Sequence, residues 1–527
     1  MKVNFNVLFM LFKKSKEMNK KSMSTKSTNR VKMTGSMLVA VMCVAALTVS
    51  CKKDCKLEPK EGFSIVGEGK DCFYEAIGGT IVIGDGSEAF EIKENLTLHA
   101  KNTYILSGWV YVVDGVTLTI EPGTIIKGEK ATKSTLIIER GAKIMAAGTR
   151  EKPIVFTSGE APGNRVPGDW GGLIICGRAP NNAGEQTIEG GVRSLHGGTD
   201  PNDNSGILRF VRVEFAGIEY EVDNEINGIT MGSVGAGTTI EYVQVSYPGD
   251  DSFEWFGGTV NAKYLVSLGC WDDDYDTDNG FSGKIQFAVA LRDPHISDQS
   301  ASNGFESDNN SSGSNDAPFT SPVFANITVF GPVANPTNYT DQGGVKGHWD
   351  ASRTRFQAGL HLRRNTKLSI FNSVIAGWPI GVIVENSGRG DAQGNATRGE
   401  LNITNCVLAG CVRNFQDRQF WTNRSVYDTE ANYDAITSAY FLRQGGNNRV
   451  FTTLAELKMG NNPLNLNGSG LFPQSDSPLA TGAEWTHAKV SSWFEKVNYI
   501  GAFSPSETAS SNWMTGWTNF DPQNTVY

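Results

Sequence analysis

From about residue 86 onward, apolar runs of four to six residues alternate with polar corners built from Gly, Asn and Asp. In TLTI (Thr117–Ile120), Leu118 and Ile120 fall on one face and Thr117 and Thr119 on the other. That period of two marks a strand with one buried face. The best internal match sets TLTIEPGTIIKG (Thr117–Gly128) against TLIIERGAKIMAAG (Thr135–Gly148), an offset of 18 residues. Each half reads strand, Gly corner, strand. Repetition of that unit predicts a solenoid, whose coils bury their apolar faces only by stacking. The runs continue through GDWGGLIICGRAP, LRFVRVEFAGIEY, FANITVFGPV and GELNITNCVLAG. A propeller or sandwich would instead need regular two-residue hairpin turns. The expected fold is all-β: a right-handed parallel β-helix over residues 86–415, with N-terminal and C-terminal caps. Residues 51–85 read as a tether and N-terminal cap. Residues 416–527 read as the last coils and a C-terminal cap, with helices expected at Thr452–Gly460 and Val490–Val497.

Composition narrows the class. The 59 Gly residues follow no Gly-X-Y period, which excludes collagen, and 27 Phe, 14 Tyr and 11 Trp argue against disorder. So much Gly, Val, Thr and Asn disfavours a helical bundle. The first 32 residues are strongly basic, and an apolar run, SMLVAVMCVAALTVS (Ser36–Ser50), leads to Cys51. It is short for a membrane span and has the basic flank of a secretory signal. Nine of the 47 Lys and Arg and one of the 56 acids lie in residues 1–50, so the remainder carries −17. That charge argues against nucleic acid as a partner. The Cys spacing lacks C-x-x-C and so any usual zinc pattern. Cys55–Cys72 and Cys406–Cys411 stand as either disulfides or free thiols.

EPGTIIKG resembles the corners of the pectin-lyase-like superfamily. GDWGGLIICGRAP, SFEWFGGTVNAKYLV, DDDYDTDNGFSGKIQF and the late YIGAF and NWMTGWTNFDP resemble a family of β-helix surface lipoproteins from Bacteroidota. The stretch ending at Cys51 resembles a lipoprotein signal. It departs from the usual pattern in having Thr48 three before the Cys and Leu47 one earlier. The resemblance implies cleavage of residues 1–50 and acylation of Cys51. It also implies an outer-membrane, extracellular address and partnership with a TonB-dependent transporter.

The densest chemistry is acidic. GDDSFEW supplies Asp250, Asp251 and Glu254; one coil later WDDDYDTDNG supplies Asp272, Asp273, Asp274, Asp276 and Asp278; a coil further, SNGFESDNN supplies Asn303, Glu306 and Asp308. Stacked at one corner, these carboxylates repel unless a cation sits among them. Hard oxygen ligands in number suit Ca²⁺. The expected ligands are Asp251, Glu254, Asp274, Asp276, Asp278 and Asp308. The run is not an EF-hand loop, since Gly280 comes one place late and Ile285 stands where the last carboxylate belongs. Turn acids with left-handed backbone and catalytic carboxylates are the other readings.

Trp255 and Trp271 flank the cluster and would offer a stacking platform for a sugar if exposed, or core packing if not. Arg363 is a candidate clamp or lyase base, or part of a solvated face. Asp250–Asp251 resembles the paired acids of polygalacturonase-type glycosidases, but the Gly-His-Gly and Arg-Ile-Lys motifs that would accompany an enzyme of this superfamily are absent. The leading expectation is therefore a lipid-anchored surface protein that binds an extracellular ligand such as a polysaccharide on a Ca²⁺-stabilised face. A calcium-dependent polysaccharide lyase or glycosidase and an adhesive stalk are the alternatives.

Overall fold

The computed structural model describes residues 63–66, 73–76, 79–221, 224–298, 300–334, 356–418, 433–460 and 466–527. The expected signal, Cys51, Cys55 and Cys72 lie outside the described residues. The chain winds into a parallel β-helix. One side is an 11-stranded parallel sheet running from Phe90–Ile92 to Arg413–Gln416. Most other strands form a 19-stranded sheet that folds along its length into two faces, and two small antiparallel pairs, Gln186–Thr187 with Leu195–His196 and Glu219–Glu221 with Asn224–Glu225, stand apart. At one end the hairpin strands Phe63–Val66 and Phe73–Ala76 pair antiparallel with each other and onto Thr80–Gly84. Thr80–Gly84 then begins the parallel stacking on Thr103–Ser107. An antiparallel hairpin thus covers an otherwise open sheet edge.

The 18-residue match does not superpose successive coils. Thr117–Ile120 belongs to the larger sheet and Thr135–Ile138 to the smaller. The true rungs are Leu118 on Ile144 and Val110 on Leu136. Two sides of one coil share a strand–corner–strand pattern because both bury one face against the same interior.

The bend in the larger sheet has its own ladder. Phe210, Tyr242, Tyr264 and Phe287 sit in left-handed backbone with φ of 49°, 56°, 61° and 58°, followed by Asn326, Asn372 and Asn405 at 55°, 51° and 55°. Asn tolerates that region; an aromatic residue there is costly. Stacking offsets the cost, with ring centroids 4.5, 4.3 and 5.1 Å apart from Phe210 through Phe287.

Residues 466–527 do not cap the end of the solenoid. They return along the outside of the larger sheet in the direction opposite to the coils. Asn405 Nδ2 donates to Gly482 O, Asn326 Nδ2 to Tyr499 O, Gln244 Nε2 to Asn519 O and Lys127 Nζ to Tyr527 O. Leu471, Ile500, Trp513 and Trp517 pack on Leu268, Leu291 and Val374 to make a second apolar layer outside the sheet. The expected helices reduce to single 3₁₀ turns at Leu454–Leu457 and, within the returning strap of residues 466–527, at Ala488–Val490, because the packing of Leu457 and Val490 into the apolar layers overrides local propensity. Cys406 and Cys411 are free thiols, Cys406 buried among Ile370 and Thr404 carbonyls.

Candidate functional site

The site lies on the outer face of the 11-stranded sheet. Parallel register stacks Glu254 on Asp276, Asp276 on Glu306 and Glu306 on His361. Alternation aims these outward and sends Phe253, Trp255, Tyr275 and Phe305 into a stacked aromatic core. Just before these strands, a second ladder closes each corner. Asp251 N donates to Asn227 Oδ1 at 3.2 Å, Asp273 N to Asp251 Oδ1 at 2.7 Å, Asn303 N to Asp273 Oδ1 at 2.5 Å and Ala358 N to Asn303 Oδ1 at 3.1 Å. Each corner side chain satisfies a backbone N–H of the next coil, which explains why short acids and amides occupy this column.

These columns enclose a cleft of about 170 Å³, with Asp250 and Asp272 at its outer rim. Glu189 reaches it from the long loop between the strands Gly172–Cys176 and Gly206–Glu214, and shares a hydrogen bond with Glu254. Eight carboxyl groups and one guanidinium, Arg363, line it. Among the described residues, three sets each bring ligand oxygens within 4.8 Å of one another: Asp250, Asp251 and Asp272; Asp251, Glu254 and Asp276; Asp273, Asp276 and Glu306. At that spacing two unit charges repel by about 3.5 kcal/mol at an effective dielectric of 20. Burial, then neighbouring carboxylates, hold Asp250, Asp251, Glu254, Asp272 and Asp276 well above the usual carboxylate range. Without a cation the cleft must keep protons; with one it can ionise.

The six expected ligands separate into four environments. Asp251, Glu254 and Asp276 share one carboxylate set. Asp274 does not join them, because the chain turns inward just ahead of the strand Tyr275–Asp278. Its carboxylate accepts from Ser267 Oγ at 2.6 Å and from Arg292 Nε at 3.0 Å, with both members of the ion pair fully buried. Burial pushes Asp274 up to about 6 against the pull of Arg292. Arg292 also donates to the carbonyls of Cys270 (2.9 Å), Asp272 and Asn303, bracing the cleft from behind. Asp278 faces outward but falls in none of the three sets; burial raises it to about 6. Asp308 is bound to Arg363 Nε (3.1 Å) and Arg364 Nη1 (2.9 Å).

Arg363 lines the cleft and also pairs with Glu306. The aromatic platform is not there. Trp255 is fully buried, 5.3 Å from Phe281 in the core stack. Trp271 is enclosed, its Nε1 donating to Asp298 Oδ1 at 3.2 Å. Glu254 and Trp255 are neighbours on one strand, so strand alternation cannot expose both.

Glu189 escaped sequence reasoning, since nothing local ties a loop residue to a strand two coils on. Glu306, Asp250, Asp272 and Asp273 were read as part of the acidic stack but not as ligands. His361 looked isolated in sequence, yet it is buried with Nδ1 3.4 Å from Glu306 Oε2.

A family model described as pectate-lyase like beta helix domain matches residues 90–449. No curated protein and no solved structure matches the chain.

Proposed function

We propose, on the premise that this chain belongs to the pectate-lyase-like β-helix domain family, that its acidic cleft binds divalent cation and through it an anionic carbohydrate. The fold fits carbohydrate-related binding or lyase activity. The observation that carries the reading is the set of three overlapping carboxylate groups around one cleft. All-oxygen ligands of this number select a hard cation, Ca²⁺ before transition metals. Such an ion takes about six to eight oxygens, and each group supplies three carboxylates, leaving positions for water or for a uronate carboxylate at the mouth. Lipid attachment at Cys51, an extracellular address and delivery of the ligand to a TonB-dependent transporter complete the proposal.

Binding is favoured over cleavage. A lyase needs a base to remove a proton beside the uronate carboxylate, and Arg363 is the basic side chain lining the cleft. Burial, with Arg364 beside it, lowers Arg363 to about 10. At pH 7 that leaves roughly one molecule in a thousand neutral. Glu306 and Asp308 also hold its N–H groups. The lyase remains the second reading on the strength of that depressed Arg363.

Thermal melting in EDTA and in millimolar Ca²⁺, with uronate-polymer pull-down in both, tests the proposal. Ca²⁺ should raise Tm and be required for retention on the polymer, and Asp251→Asn with Asp276→Asn should remove both effects. Equal melting in EDTA and Ca²⁺ would sink it. Unsaturated uronate products absorbing in the ultraviolet, lost in Arg363→Ala, would replace binding with lysis. An acyl-bearing N-terminal peptide, absent in Cys51→Ala, tests the anchor.

A further inference from the structure

We infer that Trp493 is a stacking platform for a neutral polysaccharide of all-equatorial pyranose rings, such as β-linked glucose. The platform lies on the strap, outside the larger sheet, and owes nothing to the acidic cleft or to a cation. Among the described aromatic residues of the strap, Trp493 is the one left exposed, at 37%. Its backbone is left-handed, with φ of 71°. A bulky side chain enters that region rarely and at a cost. The next residue, Phe494, turns inward onto Val323, Ala325, Phe371 and Val490. Trp493 is thereby left facing water.

The ring is held firmly. Gln286, fully buried, grips the backbone of Glu495: Glu495 N donates to Gln286 Oε1 at 2.8 Å, and Gln286 Nε2 donates to Glu495 O at 2.7 Å. Lys263 Nζ lies 2.8 Å from Glu495 Oε1 and 4.9 Å from the Trp493 ring centroid. The Phe494 ring stands perpendicular to the indole, 5.1 Å away. The clamp acts on residue 495 and the apolar plug is residue 494, so neither needs an indole at 493. Glycine would take the left-handed backbone freely. A strained position that keeps a preorganised aromatic ring in water points to a ligand.

The surroundings define that ligand. Parallel register stacks Arg209 on Glu241 and Glu241 on Lys263, at about 4.8 Å per strand. Arg209 Nη2 lies 3.0 Å from Glu241 Oε2, and Lys263 pairs with Glu495. These charges pair off, so the row offers alternating hydrogen-bond donors and acceptors to an uncharged partner. A lipid surface or a protein partner would need a contiguous apolar patch. The other exposed large apolar side chains, Leu195, Val412, Ile436, Leu442 and Val526, lie on other segments. One indole beside a polar row suits a chain of pyranose rings, each with an apolar C–H face and a rim of hydroxyls. Equatorial hydroxyls leave that C–H face widest for stacking.

Saturation-transfer difference NMR of the intact protein with cellohexaose, in EDTA and in Ca²⁺, tests the platform. Transfer to the ring C–H protons of the glucan is expected in both conditions. It should fall about tenfold or more in Trp493→Gly and be partly retained in Trp493→Phe. Because glycine suits the backbone at 493, Trp493→Gly should melt no lower than the unaltered protein. Asp251→Asn with Asp276→Asn should leave the transfer intact. Equal transfer from Trp493→Gly overturns the platform. Transfer that requires Ca²⁺ and survives Trp493→Gly belongs to the acidic cleft; it overturns the platform and supports the cation-binding reading. No transfer from the unaltered protein overturns the platform even where a variant fails to fold, and leaves the cation-binding reading standing.

Discussion

Replacing Arg292 with Met removes the only cation that faces the acidic corner from the interior side among the described residues. Arg292 and Asp274 are both fully buried, with Nε 3.0 Å from Oδ2. The same guanidinium serves the carbonyls of Cys270, Asp272 and Asn303 and lies 5.5 Å from the Trp378 ring. Breaking a buried pair by deleting one partner costs about 3–5 kcal/mol. The stripped carbonyls add to it at about 1–3 kcal/mol for each group left unsatisfied. Met roughly conserves the volume, so little of the loss is cavity. The expected cost is therefore at least about 4 kcal/mol, a factor of roughly a thousand in the folding equilibrium. Urea unfolding in EDTA at pH 7, followed by tryptophan fluorescence, measures it as a fall in midpoint. The double variant Arg292→Met with Asp274→Asn should recover about 1–3 kcal/mol of that loss, because the uncompensated carboxylate is gone while the carbonyls stay bare. Arg292→Lys should fall between, since an ammonium cannot span four acceptors. A cost below about 1 kcal/mol for Arg292→Met, or strict additivity in the cycle, would refute the bracing role.

Burial raises the cleft carboxyls of Asp250, Asp251, Glu254, Asp272 and Asp276, and those of Asp274 and Asp278 outside it, and so inverts the usual pH response. Asp274 and Asp278 are raised to about 6 from 3.8, so the folded state binds more protons, and the stability this confers is complete below pH 3.8 and lost as pH rises through 6. Tm in EDTA should therefore climb on acidification from pH 7 to pH 5, and saturating Ca²⁺ should flatten or reverse that slope; a Tm in EDTA that falls over this range contradicts it. Trp517→Ala removes a fully buried ring packed edge-on against Phe210 and Tyr242, each 6.0 Å away. Truncation of this kind costs about 3–5 kcal/mol. Hydrogen exchange should accelerate by two or more orders of magnitude across the strap, with the strand Phe253–Gly258 unchanged; equal acceleration in both would mean the strap is not a separate unit. Cys176 and Cys406, pushed up to about 12 by burial, should resist a thiol reagent until the protein is denatured. Rapid native labelling of either would contradict their placement.

Much of the fold was legible because a solenoid is local. Period-two alternation with polar corners is enough to predict strands that must stack, and parallel stacking then brings acids one coil apart into columns. Thus Glu254, Asp276 and Glu306 could be seen as a stack from sequence, and the family match over residues 90–449 agrees with the β-helix. Side-chain direction at irregular points was not legible. Asp274 sits one residue before a strand, and a turn of the backbone there sends it to Arg292 instead of the cleft. Trp255 was ambiguous until the register of Glu254 put it inside. The 18-residue match misled because two sides of one coil obey the same rule.

Sequence alone determined the class of architecture and the columns of like residues, since both follow from nearest-neighbour periodicity along the chain and between adjacent coils. Tertiary structure alone decided which carboxylates converge, that Glu189 joins them from a distant loop, and that residues 466–527 run back along the stack to bring Tyr527 O within 3.3 Å of Lys127 Nζ. Those contacts join residues with no shared period. They are chosen by which apolar and polar faces remain unsatisfied after the coils have stacked.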